Sequence, residues 1–183
     1  MDVSSGITPL NREANKTAGT SVSSTCTSLP NSSTIVPAVV KKIEEYRAAN
    51  DVVVFTKDTH YENYMETLEG ERLPVPHCII ATEGWHIIPE IEVKANEEVI
   101  SKNTFGYDNW VRVLDNWIDT IDEIEICGLC TDICVISNAL ILRALYPNMH
   151  ITVDAKCCAG VTPEKHQAAL EIMKSCQIDV INE

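Results

Sequence analysis

Three cysteines lie within eight residues of the segment EICGLCTDICV, between an apolar run and a pattern typical of a long helix. The last of them, Cys134, is predicted in the first turn of that helix. Unpaired backbone N–H groups and the positive helix end favour a thiolate at this position. Gly128 permits a tight bend before the helix, and Thr131 or Asp132 could cap it. The residues leave two interpretations of Cys134 open, a reactive nucleophile and a buried small apolar side chain.

Cys127 and Cys130 form a Cys-x-x-Cys pair, which in other contexts binds zinc or cycles between thiol and disulfide. No second pair follows at the spacing of a zinc ribbon, and the adjacent Cys157 and Cys158 are a poor ligand set. The chain has eight cysteines, which we expect to be mostly thiols in a reducing compartment.

A second group of chemically active side chains follows the apolar run VVVFT. It contains four residues that combine carboxylate and imidazole groups: Asp58, His60, Glu69 and His77. This donor set suits zinc, manganese or iron. Because Asp58 comes just after a predicted strand, the group would lie at the edge where parallel sheets bind ligands. The alternative is an acidic surface loop with two incidental histidines.

Lys102, in ISKNTFGYDNW, also comes at the end of a predicted strand. Most lysines are solvated surface charges. At this strand end, however, an ammonium group could lie near Cys134 and favour its thiolate.

The elements that must position these groups follow a strand and helix alternation. Apolar spacing predicts a helix from Val36 with Pro37 in its first turn, and a helix opened by Thr162 and Pro163. Two further helices are predicted, one over DNWVRVLDNWIDTI and one from about Ile133. The predicted strands are DVVVFT, EEVISK, EIEIC, HITVDA and QIDVIN. Such alternation predicts a parallel sheet with right-handed crossovers.

Length and charge limit the function classes. A chain of 183 residues with 45% hydrophobic content suits one α/β domain, predicted here over residues 35–183. Residues 1–34 are rich in Ser, Thr and Asn and are predicted to be an atypical arm, disordered or non-native. The net charge of −13 disfavours nucleic acid and anionic membranes. Without a signal or membrane-span pattern, we expect a cytoplasmic protein with a small-molecule substrate.

Five segments together resemble the isochorismatase-like cysteine hydrolases, and within them the nicotinamidases, over about residues 35–183. They are FTKDTH, EGERLPVPHCIIATEGWHIIPE, ISKNTFGYDNW, EICGLCTDICVISNAL and DAKCCAGVTPEKHQAAL. The resemblance implies a doubly wound α/β sheet with helices on both faces. It also implies an amidohydrolase of NAD metabolism that converts nicotinamide to nicotinate and ammonia. We expect a homo-oligomer.

The resemblance implies a role for each of the matching residues. Cys134 would be the nucleophile and Lys102 its partner. The peptide between Leu129 and Cys130 would be cis, and the N–H groups of Cys130 and Cys134 would form the oxyanion hole. Asp58, His60 and His77 match family metal ligands directly, and Glu69 has a spacing that other members use. The metal, zinc or else manganese or iron, would hold the substrate's ring nitrogen. Aromatic walls could come from Phe105, Tyr107 and Trp85.

The N-terminal segment departs from the family pattern. Members begin with an apolar strand that ends in a catalytic Asp, usually as Asp-x-Gln. Here the acids before Lys41 are Asp2 and Glu13, and neither follows an apolar strand. The sequence therefore predicts that this central strand and its general base are missing. Two alternatives to a nicotinamidase follow: a related hydrolase of another small amide, and a disabled homologue that acts as a binding or oligomeric protein.

Overall fold

The computed structural model describes residues 6–8 and 32–183. Within them, the sheet has six strands in the order β3-β2-β1-β4-β5-β6. The strands are β1 (Gly6–Thr8), β2 (Val54–Asp58), β3 (Glu98–Lys102), β4 (Glu123–Leu129), β5 (His150–Ala159) and β6 (Asp179–Ile181). The strand pairs β2–β3, β4–β5 and β5–β6 are parallel. This is the doubly wound α/β arrangement that the alternating pattern and the resemblance predicted.

The α-helices of the described chain are α1 (Val36–Ala48), α2 (Leu68–Arg72), α3 (Trp110–Leu114), α4 (Ile136–Leu145) and α5 (Pro163–Ser175). Pro37 lies in the first turn of α1, and the Thr162 hydroxyl caps α5 by accepting from the Lys165 N–H at 3.2 Å. Both helix starts are as predicted. The predicted helix over residues 108–121 is α-helical only at Trp110–Leu114, and turns follow it. None of these helices is long and apolar enough to cross a membrane.

The turn before α4 differs from the predicted cap. It is a π-helical turn, Thr131–Val135, without a side-chain cap. The Thr131 hydroxyl instead lies 2.7 Å from His166 Nδ1, and Asp132 accepts from the Val161 N–H at 2.9 Å. The prediction that one of them caps the helix was wrong, because Thr131 bonds to a residue of α5 and Asp132 bonds to the segment just before α5. Gly128 has φ 129°, a backbone conformation that glycine adopts readily.

The centre of the sheet corrects the prediction that a central strand is missing. Gly6–Thr8 fills the position between β2 and β4, and it runs antiparallel to both. It has three residues and contains no acid. Thr8 pairs with Glu125 and Gly6 with Cys127, so the strand ends away from the carboxyl ends of its neighbours. Asp2 and Glu13 lie outside the described residues.

The apolar core lies between the sheet and the helices. Burial is continuous along β2 and along β4 after Glu123, as expected for strands covered on both faces, and it includes polar residues of both strands as well as apolar ones. The large side chains that are almost fully buried in this core include Phe55, Trp110, Ile124, Ile126, Leu142, Ile151 and Leu170. This core fixes the carboxyl ends of β2, β3 and β4, where the chemically active residues lie.

A buried ionic group lies among β4, β5 and α1. Lys42 Nζ lies 2.7 Å from Glu125 Oε1 and 2.8 Å from Asp154 Oδ2. The Tyr46 hydroxyl also donates to Glu125. Burial raises the pKa of Glu125, and the attraction of Lys42 offsets part of that increase. Lys42 therefore neutralises two carboxylates that the fold removes from water.

Replacing Lys42 with Met should lower the free energy of unfolding by about 3–5 kcal/mol, because two buried carboxylates lose their counter-ion. This loss of unfolding free energy should become smaller as the pH falls from neutral towards the pKa of Glu125, because a protonated Glu125 needs no counter-ion. A carboxyl with a raised pKa in the folded state takes up a proton on folding, so acid favours the folded state. Urea unfolding at several pH values measures both effects.

Lys41→Met is the matched control for this prediction. Lys41 pairs with Glu45 at 3.1 Å, but the two side chains are 79% and 57% exposed. This substitution should change stability by less than about 0.5 kcal/mol. Equal effects of the two substitutions would show that the buried group contributes no more than a surface pair.

Candidate active site and metal centre

The candidate nucleophile lies beside a buried cation. Lys102 Nζ is 3.5 Å from Cys134 Sγ and 3.4 Å from Asp58 Oδ1. Asp58 and Lys102 end neighbouring parallel strands and are paired directly in the β2–β3 register, which places their side chains together. All three residues are less than 5% exposed. An ammonium group in contact with a thiol favours the thiolate.

The turn that carries Cys134 begins at a cis peptide bond between Leu129 and Cys130, the geometry that the resemblance implies. The Cys130 carbonyl accepts from the N–H groups of Ile133 and Val135 at 3.0 and 3.1 Å, which closes the turn. Cys130 and Cys134 both line the same cavity. Backbone N–H groups of such a turn are suited to an oxyanion.

The four predicted metal ligands come together. One donor atom from each of Asp58, His60, Glu69 and His77 lies within 4.8 Å of the others. His60 Nε2 is 3.6 Å from both Asp58 Oδ2 and Glu69 Oε1, and Glu69 Oε1 is also 3.6 Å from His77 Nε2. These separations are longer than hydrogen bonds and leave space between the donors. The prediction that these residues are neighbours is therefore met by the geometry.

Two details show that the donors present fit a cation. His60 Nε2 is a buried polar atom without a hydrogen-bond partner in the described structure. His77 Nδ1 lies 2.9 Å from the Val75 carbonyl, which selects the tautomer with a lone pair on Nε2. Burial lowers the pKa of His60, but Asp58 and Glu69 outweigh burial and raise it overall. A divalent ion would neutralise these carboxylates and use the imidazole lone pairs.

The segment that carries Glu69 is held by Tyr64. The Tyr64 ring packs edge-on against His60 at 4.8 Å and His77 at 5.1 Å between centroids. Its hydroxyl donates to the Leu73 carbonyl at 2.8 Å, just after α2. Tyr64 therefore supports the ligand group by packing against two of its imidazoles. An aromatic residue so close to His60 in the sequence was a possible sign of this contact, but the packing role of Tyr64 was not predicted.

A cavity of about 860 Å³ connects the two groups. Its wall contains Asp58, Glu69 and His77 from the ligand group, Cys130 and Cys134 from the turn, and Phe105. The remaining wall is largely apolar and includes Leu68, Leu73, Val75, Ile133 and Val161, which sequence reasoning missed. A cavity of this size lies within the usual range for small-molecule sites. Apolar residues at such positions carry no pattern distinguishing them from core.

Two of the three predicted aromatic wall residues lie elsewhere. The Tyr107 ring packs against Trp110 at 5.2 Å, and Trp85 donates from Nε1 to the Thr59 hydroxyl at 2.9 Å. Lys57 Nζ lies 3.0 Å from the centre of the Trp85 ring. Neither aromatic side chain lines the cavity, because Tyr107 packs against Trp110 and Trp85 contacts Thr59 and Lys57 instead. Phe105 alone of the three lines it.

The description of the matching family model is "Isochorismatase domain", and the match covers residues 17–183. The chain belongs to the isochorismatase family. The match begins inside the N-terminal segment, before the start of the resemblance read from motifs.

Individual relatives agree with this assignment. The chain is 29% identical to the nicotinamidase/pyrazinamidase of Mycobacterium tuberculosis over 160 residues, which cover 79% of this chain and 85% of that protein. Its fold is similar to the pyrazinamidase of Pyrococcus horikoshii in complex with zinc, with TM-score 0.71, 24% identity, and coverage of 85% and 88%. It is also similar to the N-carbamoylsarcosine amidase of Thermoplasma acidophilum, with TM-score 0.67, 26% identity, and coverage of 82% and 83%.

A limiting dose of iodoacetamide near neutral pH should alkylate Cys134 before the other cysteines, because Lys102 favours its thiolate and the cavity admits a small reagent. Burial raises the pKa of Cys157 to about 12 and that of Cys158 well above the ordinary value. Cys176 is only half-buried, so its labelling rate shows how fast a more accessible thiol reacts. Peptide mapping by mass spectrometry measures the order of labelling.

Lys102→Met should slow labelling of Cys134 about tenfold, whereas Lys156→Met, which removes an exposed lysine of β5, should leave it unchanged. Labelling of Cys176 or Cys130 ahead of Cys134 would contradict the assignment of the nucleophile.

Protein purified without chelators or an affinity metal should contain about one equivalent of a divalent ion, because four donors converge on one point. His77→Ala should lower the content at least tenfold. His86→Ala, which removes an exposed histidine nearby, should leave it unchanged. Elemental analysis measures the content. Less than about a tenth of an equivalent, with no uptake of added zinc, manganese or iron, would support the surface-loop alternative.

Proposed function

We propose that this protein is a cysteine-dependent amidohydrolase whose substrate is nicotinamide, which it converts to nicotinate and ammonia. The observation that carries the proposal is the contact of Lys102 with Cys134, which lines the same cavity as three members of the ligand group, Asp58, Glu69 and His77. Membership of the isochorismatase family and the amide-cleaving relatives support a hydrolase acting on amides. The finer assignment to nicotinamide rests on the pairing of the two groups.

In the proposed reaction, the Cys134 thiolate attacks the carboxamide carbon, and backbone N–H groups of Cys130 and Cys134 stabilise the oxyanion. Lys102 donates its proton to the amide nitrogen, and the C–N bond breaks to release ammonia. The product is a thioester on Cys134, with Lys102 neutral. Water then attacks the thioester as Lys102 accepts its proton, and the C–S bond breaks to regenerate the thiolate. One amide and one water give one acid and one ammonia.

Asp58 has a double role in this proposal. Its Oδ1 faces Lys102, and its Oδ2 faces His60. Among the described residues, it is the carboxylate that contacts Lys102, so it stabilises the ammonium form. The ligand group would hold a divalent ion, which would bind the ring nitrogen of the substrate when present. The apolar wall would exclude water from the flat ring.

A second candidate is the hydrolysis of another small amide by the same nucleophile. The similarity to an N-carbamoylsarcosine amidase supports this second candidate. Arg72 also lines the cavity and could contact an anionic substituent of such a substrate. Both candidates use Cys134 and Lys102, and they differ in what selects the substrate.

Purified protein loaded with zinc should release ammonia from nicotinamide and should fail with benzamide, which has the same shape but lacks the ring nitrogen. Coupled measurement of ammonia, with chromatographic detection of nicotinate, tests this expectation. Cys134→Ala should abolish turnover, and Lys102→Met should reduce it by about two to four orders of magnitude. Cys176→Ala is the matched control and should retain activity.

The assay should also include a version with a family-type first strand ending in Asp. Activity in that version alone would mean that this chain is a disabled homologue. Equal turnover of nicotinamide and benzamide would contradict selection by the ring nitrogen and favour the second candidate.

A further inference from the structure

Asn138 is a fully buried polar side chain on α4, one helical turn after Cys134. Its Oδ1 accepts from the Tyr107 backbone N–H at 2.8 Å and from Trp110 Nε1–H at 3.0 Å. Its Nδ2 donates to the carbonyls of Cys134 at 2.8 Å and Phe105 at 3.3 Å. Because both donors meet Oδ1 and both carbonyls meet Nδ2, the network fixes the orientation of the amide.

These bonds join two segments of the candidate site. One is the turn of Cys134, which Asn138 holds through the Cys134 carbonyl. The other is the segment 103–110, which directly follows Lys102 and contributes Asn103, Thr104 and Phe105 to the cavity wall. A buried side chain that uses both lone pairs and both protons has one favourable arrangement, because any shift leaves a polar group without a partner.

Packing at Gly106 reinforces this junction. A Cβ at Gly106 would lie 2.4 Å from Ile141 Cδ1 and 3.3 Å from Ser137 Cβ, so the backbone of the segment lies directly against α4. The Ser137 hydroxyl donates to the Ile133 carbonyl at 2.6 Å, four residues earlier in the chain. Close packing and the amide network therefore act at the same place.

We propose that Asn138 is a positioning residue that sets the distance between Cys134 and the segment 103–110, which begins directly after Lys102 and carries Phe105. It does not contact the substrate. It fixes one wall of the cavity to the helix of the nucleophile, so that the thiol stays beside the ammonium group. The proposal rests on the proposed function only in taking Cys134 as the nucleophile, and it holds for either amide substrate.

The test compares Asn138→Leu with Leu142→Ala. Asn138→Leu keeps the volume and removes all the hydrogen bonds. Leu142→Ala removes a fully buried side chain one turn later on the same helix and leaves the network in place. Both should lower the melting temperature, because both disturb the core. If Asn138 had only a structural role, the two variants would also have the same alkylation rate at Cys134 and the same kcat.

Asn138→Leu should slow alkylation of Cys134 by iodoacetamide about five- to tenfold, and it should speed hydrogen exchange at the Tyr107 amide by at least tenfold. Leu142→Ala should change the alkylation rate less than twofold. With an active preparation, kcat should fall about 10- to 100-fold in Asn138→Leu, the scale expected for a misplaced reactive group. KM for the substrate should change much less, because Asn138 does not line the cavity.

If Asn138→Leu fails to fold, Asn138→Asp replaces it, because it retains the oxygen that accepts from Tyr107 and Trp110 and removes the amide donors. The expected slowing of alkylation is the same. Equal alkylation rates in wild type and the folded Asn138 variant would overturn the proposal. Alkylation does not require turnover, so slowed alkylation in a preparation that hydrolyses neither amide would support positioning and contradict only the proposed function.

Discussion

The contact of Lys102 with Asp58 and Cys134 is the constraint on which the site depends. An ammonium group without exposed side-chain surface is costly unless an opposite charge lies beside it. Asp58 supplies that charge from the neighbouring strand, and a thiolate at Cys134 would add a second. The parallel pairing of β2 and β3 places the carboxylate and the cation in register. Moving either strand end from its place would separate this buried ion pair.

Asp58 also connects the nucleophile to the ligand group. One carboxylate oxygen faces Lys102, and the other faces His60. A cation among the four donors would therefore compete with Lys102 for the same carboxylate. This sharing limits how far the two groups can move apart, and it keeps both in one cavity.

The direction of the central strand decides where its last residue lies in the described fold. In a strand parallel to its neighbours, the final residue would lie at the carboxyl ends of β2 and β4. Gly6–Thr8 runs in the opposite direction and ends beside Glu125, away from Cys134 and Lys102. Its three residues contain no carboxylate. Asp58 is therefore the acid that the described fold brings to Lys102.

Apolar spacing predicted the alternation of strands and helices and the helix starts at Val36 and Pro163. The family resemblance implied the doubly wound fold and the grouping of Cys134, Lys102 and the four donors. Helices and strands depend on local spacing, which a sequence carries directly, whereas the site residues could be grouped because each follows a predicted strand end or lies in a family motif. Only the tertiary structure decided which aromatic faces the cavity, that Thr131 and Asp132 bond outside their turn, and that Asn138 joins two segments. Those outcomes depend on contacts between distant residues, where alternative partners compete and local spacing does not select among them. Asn138 was nevertheless visible as a polar residue on an apolar helix face, a pattern that indicates a buried hydrogen-bonding role but does not name its partners.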